Sequence, residues 1–303
     1  MKLLYILLVL NFCFFLGCST TEEKNEKFNF DPIKENREGL DYKSTDMTTE
    51  DALLMQMDGL LQRLLQAQRK QDDALAMHTE RELEELSRGH FSFLIKSLNS
   101  DKSSIAAMAL GFSDDIRAIP YLMEVLENGN LMTRCNAAMA LGHIGSEKTP
   151  MDELTTILLR EDDDDDVRAM VAFAIAQIVY KDKDFGSLSA LHKVLTDKAT
   201  MVRNNAVLAL MRIGKKESGK NILQTTIKDE HPIVRLNSLI AIQRLCDWST
   251  AKTAVVKTMR DPVQDVADAA FHVAKMLSGK ELENKPELWE EYIDMPIATV
   301  EQN

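Results

Sequence analysis

Four groups of residues in this 303-residue chain have the types and spacing from which chemistry could be built. Gly214-Lys-Lys-Glu-Ser-Gly219-Lys220-Asn221 falls one residue short of a phosphate-binding loop. Such a loop needs a hydroxyl residue after its lysine to hold magnesium, and a strand before it to aim the backbone amides. Asn221 replaces the hydroxyl and the preceding pattern is helical, so the segment reads as a turn between helices. The run Glu161-Asp-Asp-Asp-Asp-Asp166 gathers carboxylates that could hold calcium, but calcium loops alternate their ligands and bend at a glycine. Acidic residues ahead of a helix opening near Val167 are favoured by the helix dipole instead. His78, His90, His143, His192, His231 and His272 have no metal-ligand spacing, and the sequence contains no G-x-S-x-G elbow or local Cys-His pairing. The expectation is therefore no catalytic residue, no metal and no cofactor.

The fourth group is periodic. Val202 to Gly214 (VRNNAVLALMRIG) recurs in degraded form six times between Ser103 and Leu277, with Ser103, Arg134, Arg168, Arg203, Arg235 and Ala267 at the equivalent reference position. These are 31, 34, 35, 32 and 32 residues apart, a period that belongs to helix-pair repeats. Val202, Ala206, Ala209, Leu210 and Ile213 trace one buried stripe of the second helix. The same slots hold Ala137, Ala140, Leu141 and Ile144 in one copy and Val234, Ser238, Ala241, Ile242 and Leu245 in another. Shorter first helices precede them, as at Ile119 to Leu126, Leu188 to Leu195 and Ala251 to Met259.

Asp162, Asp197, Asp229 and Asp261 each stand six residues before the reference position, and Asn128 takes that place in another copy. With Val202, Arg203, Ala206, Ala209, Leu210, Ile213 and Gly214, Asp197 completes a pattern that resembles the HEAT-like repeats named after phycobilisome lyases, over roughly residues 90–279. The resemblance implies that aspartate and arginine tie one repeat to the next, making Asp162, Arg168, Asp197, Arg203, Asp229 and Arg235 a structural ladder. Ser103 and Ala267 mark atypical end repeats. The predicted fold is all-α: a right-handed α-solenoid of about six HEAT-like helix pairs with an N-terminal helical cap. Such a fold says little about function.

Met1-Lys2 followed by the apolar run Leu3 to Leu16 reads as a secretory signal, too short for a membrane span. Phe15-Leu16-Gly17-Cys18-Ser19 resembles a bacterial lipoprotein lipobox, which implies cleavage after Gly17, acylation of Cys18 with chains such as palmitate, and a lipid-anchored place in the cell envelope. Ser19 after the cysteine resembles outer-membrane-directed lipoproteins more than inner-membrane ones. Two or more acyl chains suffice for stable anchoring. Residues 18–47 are polar without apolar periodicity and read as a disordered tether, spanning roughly 30 Å.

The 48 acidic against 36 basic side chains give a net charge of -12, which repels nucleic acid. Cys135 and Cys246, the two cysteines left after the signal and the lipid site, stand three repeats apart. With helices packing about 8 to 10 Å apart they are too distant for a disulfide, so both are expected to be free.

Residues 48–89 form the cap segment: residues 48–88 read as helix, with Thr48-Thr49-Glu50-Asp51 as its start and Leu53, Met57, Leu60, Leu61, Leu64 and Leu65 as its stripe. Two uses stand open for it, packing on the first repeat or pairing with another chain. Residues 280–303 form a C-terminal cap, in which Trp289 and Ile293 cover the last repeat, and a loose tail.

Five residues after the reference, away from the buried stripe, stand Met139, Phe173, Leu208, Ile240 and His272. Leu236 and Met211 extend this apolar strip, and His143, Gln177, Arg212 and Arg244 edge it. Stacked helices bring equivalent positions together on a concave surface. Two readings follow: an exposed groove for a helix or extended peptide, or residues buried between neighbouring helices. The function expected is a membrane-anchored, non-enzymatic scaffold that binds a protein or peptide partner. An enzyme or lyase-like accessory acting on an exported substrate is the alternative, and self-assembly through the N-terminal helix a third possibility.

Overall fold

The computed structural model describes residues 48–179 and 188–294, in which every regular element is helical. The expected signal peptide, Cys18, the expected tether and the tail from Met295 lie outside the described residues. The chain forms two compact units, divided between Pro150 and Met151.

The first unit opens with α1 (Thr49–Arg69) and α2 (Asp73–Gly89). A capping box starts α1: the Thr48 hydroxyl accepts from Asp51 N at 3.1 Å while the Asp51 carboxylate accepts from Thr48 N at 3.3 Å. Residues 48–88 are thus two helices, where the apolar pattern predicted one. The break comes at Gln71, whose φ of 56° is left-handed, and Asp72 then caps α2 by accepting from Leu75 N. The two helices share a cluster of Leu60, Leu61, Leu64, Ala67, Ala76 and Leu83 that also takes in Phe112.

Phe112 ends α4 (Ser103–Phe112), so the hairpin packs on the first helix pair, α3 (Phe91–Ser97) with α4. Lys102 adds an ion pair to Asp51 at the start of α1. The second pair is α5 (Ile119–Asn128) with α6 (Leu131–Ile144). α4 and α6 approach closely because Gly111 has no side chain: a β-carbon there would stand 2.8 Å from Ala140 Cα.

The second unit continues the pattern with α7 (Met151–Leu158) and α8 (Asp165–Ile178), α9 (Leu188–Lys193) and α10 (Thr200–Ile213), α11 (Glu217–Gln224) and α12 (Pro232–Leu245), and α13 (Trp248–Thr258) and α14 (Gln264–Ser278). Short 3-10 turns extend α9 and α11. Each first helix packs on its second helix, and α8, α10, α12 and α14 pack in succession as one layer. Among the described residues the pairs number six, the arrangement of an α-solenoid.

Wholly buried Val202, Ala206, Ala209, Leu210, Val234, Ala241 and Ile242 form the stripe of that layer. Gly219 lies inside α11, not in an open loop, and an added β-carbon would stand 2.5 Å from Cys246 Sγ. This close approach accounts for the glycine without any phosphate.

The final helix, α15 (Pro286–Asp294), packs on α13. Trp289 is fully buried beside Trp248 and Tyr292, and its indole N–H donates to Glu283 O at 3.1 Å. Arg260 reaches both Glu287 and Glu290 at 2.8 and 2.9 Å. Ile293 is only half-buried.

Candidate interaction surface

Two rows of side chains cross the second-helix layer of the second unit, one near the helix N-termini and one near the C-termini. In the first, Arg168 donates to both oxygens of Asp197 at 2.5 and 3.0 Å. Arg203 does the same to Asp229 at 2.6 and 2.8 Å, and Arg235 to Asp261 at 2.7 Å twice. Each arginine therefore reaches the aspartate of the following repeat in a bidentate fork. Arg203 and Arg235 also donate through Nη1 to the backbone carbonyls of Asp197 and Asp229 in their own turns. Asp197, Asp229 and Asp261 in turn accept from the backbone N–H two residues on. Asp197 is the largest influence on Arg168, whose guanidinium is held well above its usual range.

Asp162 does not join this row. It is exposed, whereas the neighbouring Asp163 has a buried carboxylate 3.7 Å from Arg160. A run of five aspartates gives no way to choose among adjacent positions by type alone. The run itself starts α8, with the Asp164 carboxylate accepting from Asp166 N at 2.9 Å.

Alongside the arginine row runs a line of buried amides. Asn205 Nδ2 donates to Ala169 O at 2.8 Å, and Asn237 Nδ2 to Asn204 Oδ1 at 2.7 Å. In the first unit Asn136 Nδ2 donates to Ser104 O at 2.9 Å, beside a buried hydroxyl pair between Ser103 and Thr133. The asparagines two residues after the reference position thus bridge successive second helices. Sequence reasoning passed over them, although Asn136, Asn205 and Asn237 recur at one repeat position.

The apolar strip is more buried than an open groove would require. Leu208 is 8% exposed and Leu236 7%, and Arg212 is also buried. Phe173, Met211, Ile240 and Gln177 are half-buried, and Arg244 and His272 are exposed. Packing of each second helix against the next covers the positions nearest the seam, so at Leu208, Leu236 and Arg212 the side chains are buried between neighbouring helices and do not line an open groove. Arg212 Nη1 donates to Gln177 Oε1 at 2.5 Å and to Ala176 O at 3.2 Å. In the first unit Met139 and His143 are half-buried, and the His143 ring lies 4.4 Å from that of Phe112.

Cys135 and Cys246 are both free thiols; burial raises that of Cys246 to about 11, so it is not a ready nucleophile. His192 Nε2 and Ser218 Oγ lie 3.0 Å apart, but Ser218 is fully buried. Among the described residues no group of three His, Cys, Asp or Glu side chains could hold a metal, and no helix is long and apolar enough to cross a membrane.

A family-level match agrees with the helix-pair organisation over part of the second unit. A family model for HEAT repeats matches residues 151–224, from α7 to the end of α11. Among solved structures, human deoxyhypusine hydroxylase in complex with glycerol is similar at 18% identity and a TM-score of 0.35, over 76% of this chain and 98% of that one. A designed armadillo repeat protein in complex with the peptide (KR)4 is similar at 18% identity and a TM-score of 0.42, over 71% and 98%. No curated protein matches the sequence. The chain is a helical-repeat protein.

Proposed function

We propose that this chain is a non-enzymatic scaffold, lipid-anchored through Cys18 in a bacterial envelope at the outer membrane, that binds a protein or peptide on the solvent side of its second-helix layer. The observation that carries the binding role is that Phe173 on α8, Met211 on α10 and Ile240 on α12 are each half-buried on successive packed helices, Met211 one turn further along than the other two. Apolar area left partly open on neighbouring helices is what a partner segment covers. The anchoring role is supported by the apolar run Leu3 to Leu16 and by Gly17-Cys18-Ser19.

The test compares photo-crosslinking in the native envelope for the unaltered chain and a Met211→Gln, Ile240→Gln variant. A partner captured by the first and lost by the second, with unchanged melting, supports the surface. Equal capture by both removes it. For the anchor, Cys18→Ala should abolish incorporation of labelled palmitate and release the protein from the membrane fraction.

A further inference from the structure

The turns that open the second helices are capped by different residues. Asn130 accepts from Thr133 N at the start of α6, and Asp164 from Asp166 N at the start of α8, both through side-chain oxygens. At α12 the N-cap is His231, whose ring nitrogen Nδ1 accepts from Ile233 N at 3.3 Å. Pro232 has no N–H, so Ile233 offers the first free amide of the helix. A nitrogen that accepts there carries no hydrogen, which fixes a neutral ring with its hydrogen on Nε2.

The same residue is tied into the closed arginine row. Its backbone N–H donates to Asp229 Oδ1 at 2.9 Å, the carboxylate that Arg203 of α10 holds in its fork. Arg235, one turn into α12, donates through Nη1 to the carbonyls of Asp229 and Glu230 at 2.8 and 3.1 Å. Glu230 in turn accepts from Arg203 at 3.2 Å. The charged groups that act on the ring are therefore Arg203 from α10, Arg235 from α12, and Asp229 and Glu230 from its own turn. Loss of water around the ring is the largest influence and makes it harder to protonate. Asp229 opposes this and the two guanidiniums reinforce it, so the ring titrates below its ordinary 6.5. The residue keeps an exposed edge, so protons reach it from solvent without any opening of the fold.

A proton on Nδ1 changes three things at once. The acceptor becomes a donor facing the Ile233 N–H, a positive charge appears at the positive end of the α12 dipole, and that charge stands among the guanidiniums of Arg203 and Arg235. We propose that His231 is an acid-sensitive latch on the seam between α10 and α12, closed while the ring is neutral and released when it is protonated. Release frees the Ile233 amide and withdraws the cap that steadies the Asp229 turn against Arg203. The folded state holds this proton less tightly than the unfolded chain does. The latch therefore contributes fully above the ordinary value, loses its contribution as pH falls from 6.5 to the lowered value, and adds nothing below it.

His231→Asn keeps a neutral side-chain acceptor at the N-cap and removes the titration. Melting of the full chain and of this variant is followed by circular dichroism from about pH 8 to about pH 5, the range that histidine spans. The difference between the two melting temperatures should be flat above pH 7 and then move by about 2 °C in favour of the variant as the pH falls. Glu80 and His192 are present in both chains, so their titrations cancel in that difference. Nitrogen-15 correlation spectra of the histidine-labelled chain, with the signal assigned through His231→Asn or His231→Gln, give a second reading on the unaltered protein. They should show Nδ1 bare and Nε2 bearing hydrogen at about pH 8, with a midpoint below 6.5. A hydrogen on Nδ1, a midpoint at or above that value, or a melting difference that stays constant with pH would overturn the latch.

Discussion

Arginines cross the second-helix layer in two rows, and the rows meet different fates. Arg168, Arg203 and Arg235, near the helix N-termini, are each closed by a bidentate aspartate from the next repeat. Nine residues on from Arg203 and Arg235, Arg212 donates through Nη1 to a carbonyl and an amide, and Arg244 faces water. Residue type is the same in both rows. What differs is the partner shown: the following turn supplies a bidentate carboxylate at the helix starts, whereas Arg212 at the helix ends donates to Gln177 and Ala176. The first row therefore belongs to the fold, and in the second only part of the row, at Arg244 and Met276, is exposed.

Breaking the closed row should have the largest effect. Arg203→Ala leaves the Asp229 carboxylate, 6% exposed at its side chain, buried without its partner, and removing one half of such a pair costs about 3 to 5 kcal/mol. Urea denaturation followed by circular dichroism would show it. Replacing both residues with apolar ones of similar volume should recover most of the loss; no recovery would mean that the row stabilises through its carbonyl contacts instead.

The amide line comes next. Asn205→Ala removes the side-chain donor that reaches Ala169 O across the seam, and should cost about 0.5 to 1.5 kcal/mol. A double-mutant cycle with Asn237→Ala would reveal whether the amides act as one connected line, since Asn204 lies between them. Strict additivity would show separate hydrogen bonds.

The closed row was legible in the sequence because two charged types recur in phase, and the resemblance to HEAT-like repeats implied that they tie one repeat to the next. Asn205 was not, because a polar residue on an apolar stripe reads as surface until its recurrence at Asn136 and Asn237 is noticed. The burial of Leu208 and Leu236 was out of reach for another reason. Periodicity sets which way a side chain leaves its own helix, but the shielding it receives depends on how closely the next helix approaches. The break at Gln71 carries no Gly or Pro, only the polar run Gln68 to Asp73, and a hairpin conserves the apolar period on both sides of it.

A carboxylate without a cation sharpens the contrast through pH. Glu80 lies on the half-buried face of α2, with Glu84 one turn away and held by Arg88 at 3.2 Å. Burial first, and Glu84 second, push the Glu80 carboxyl up to about 7 from its ordinary 4.5. The folded state then holds this proton more tightly than the unfolded chain, so stability is highest below the ordinary value, falls between the two values, and levels off above the raised one. Glu80→Gln should remove that descent and raise the melting temperature at neutral pH while leaving it unchanged in acid. An unchanged pH profile would place Glu80 in water instead.

The smallest stability effect belongs to the open row, and its smallness is what separates the rows. Arg244→Ala removes an exposed guanidinium that pairs with no described carboxylate, so its cost should stay within about 0.5 kcal/mol. Part of even that change comes from the loss of a favourable cation at the C-terminus of α10, which predicts that raised salt shrinks it further. A cost comparable with that of Arg203→Ala would show that Arg244 closes a seam of its own, and the two rows would then be one device repeated at both ends of the helices. A negligible cost, joined to a loss of partner capture, leaves Arg244 as a residue kept for what lies outside the chain.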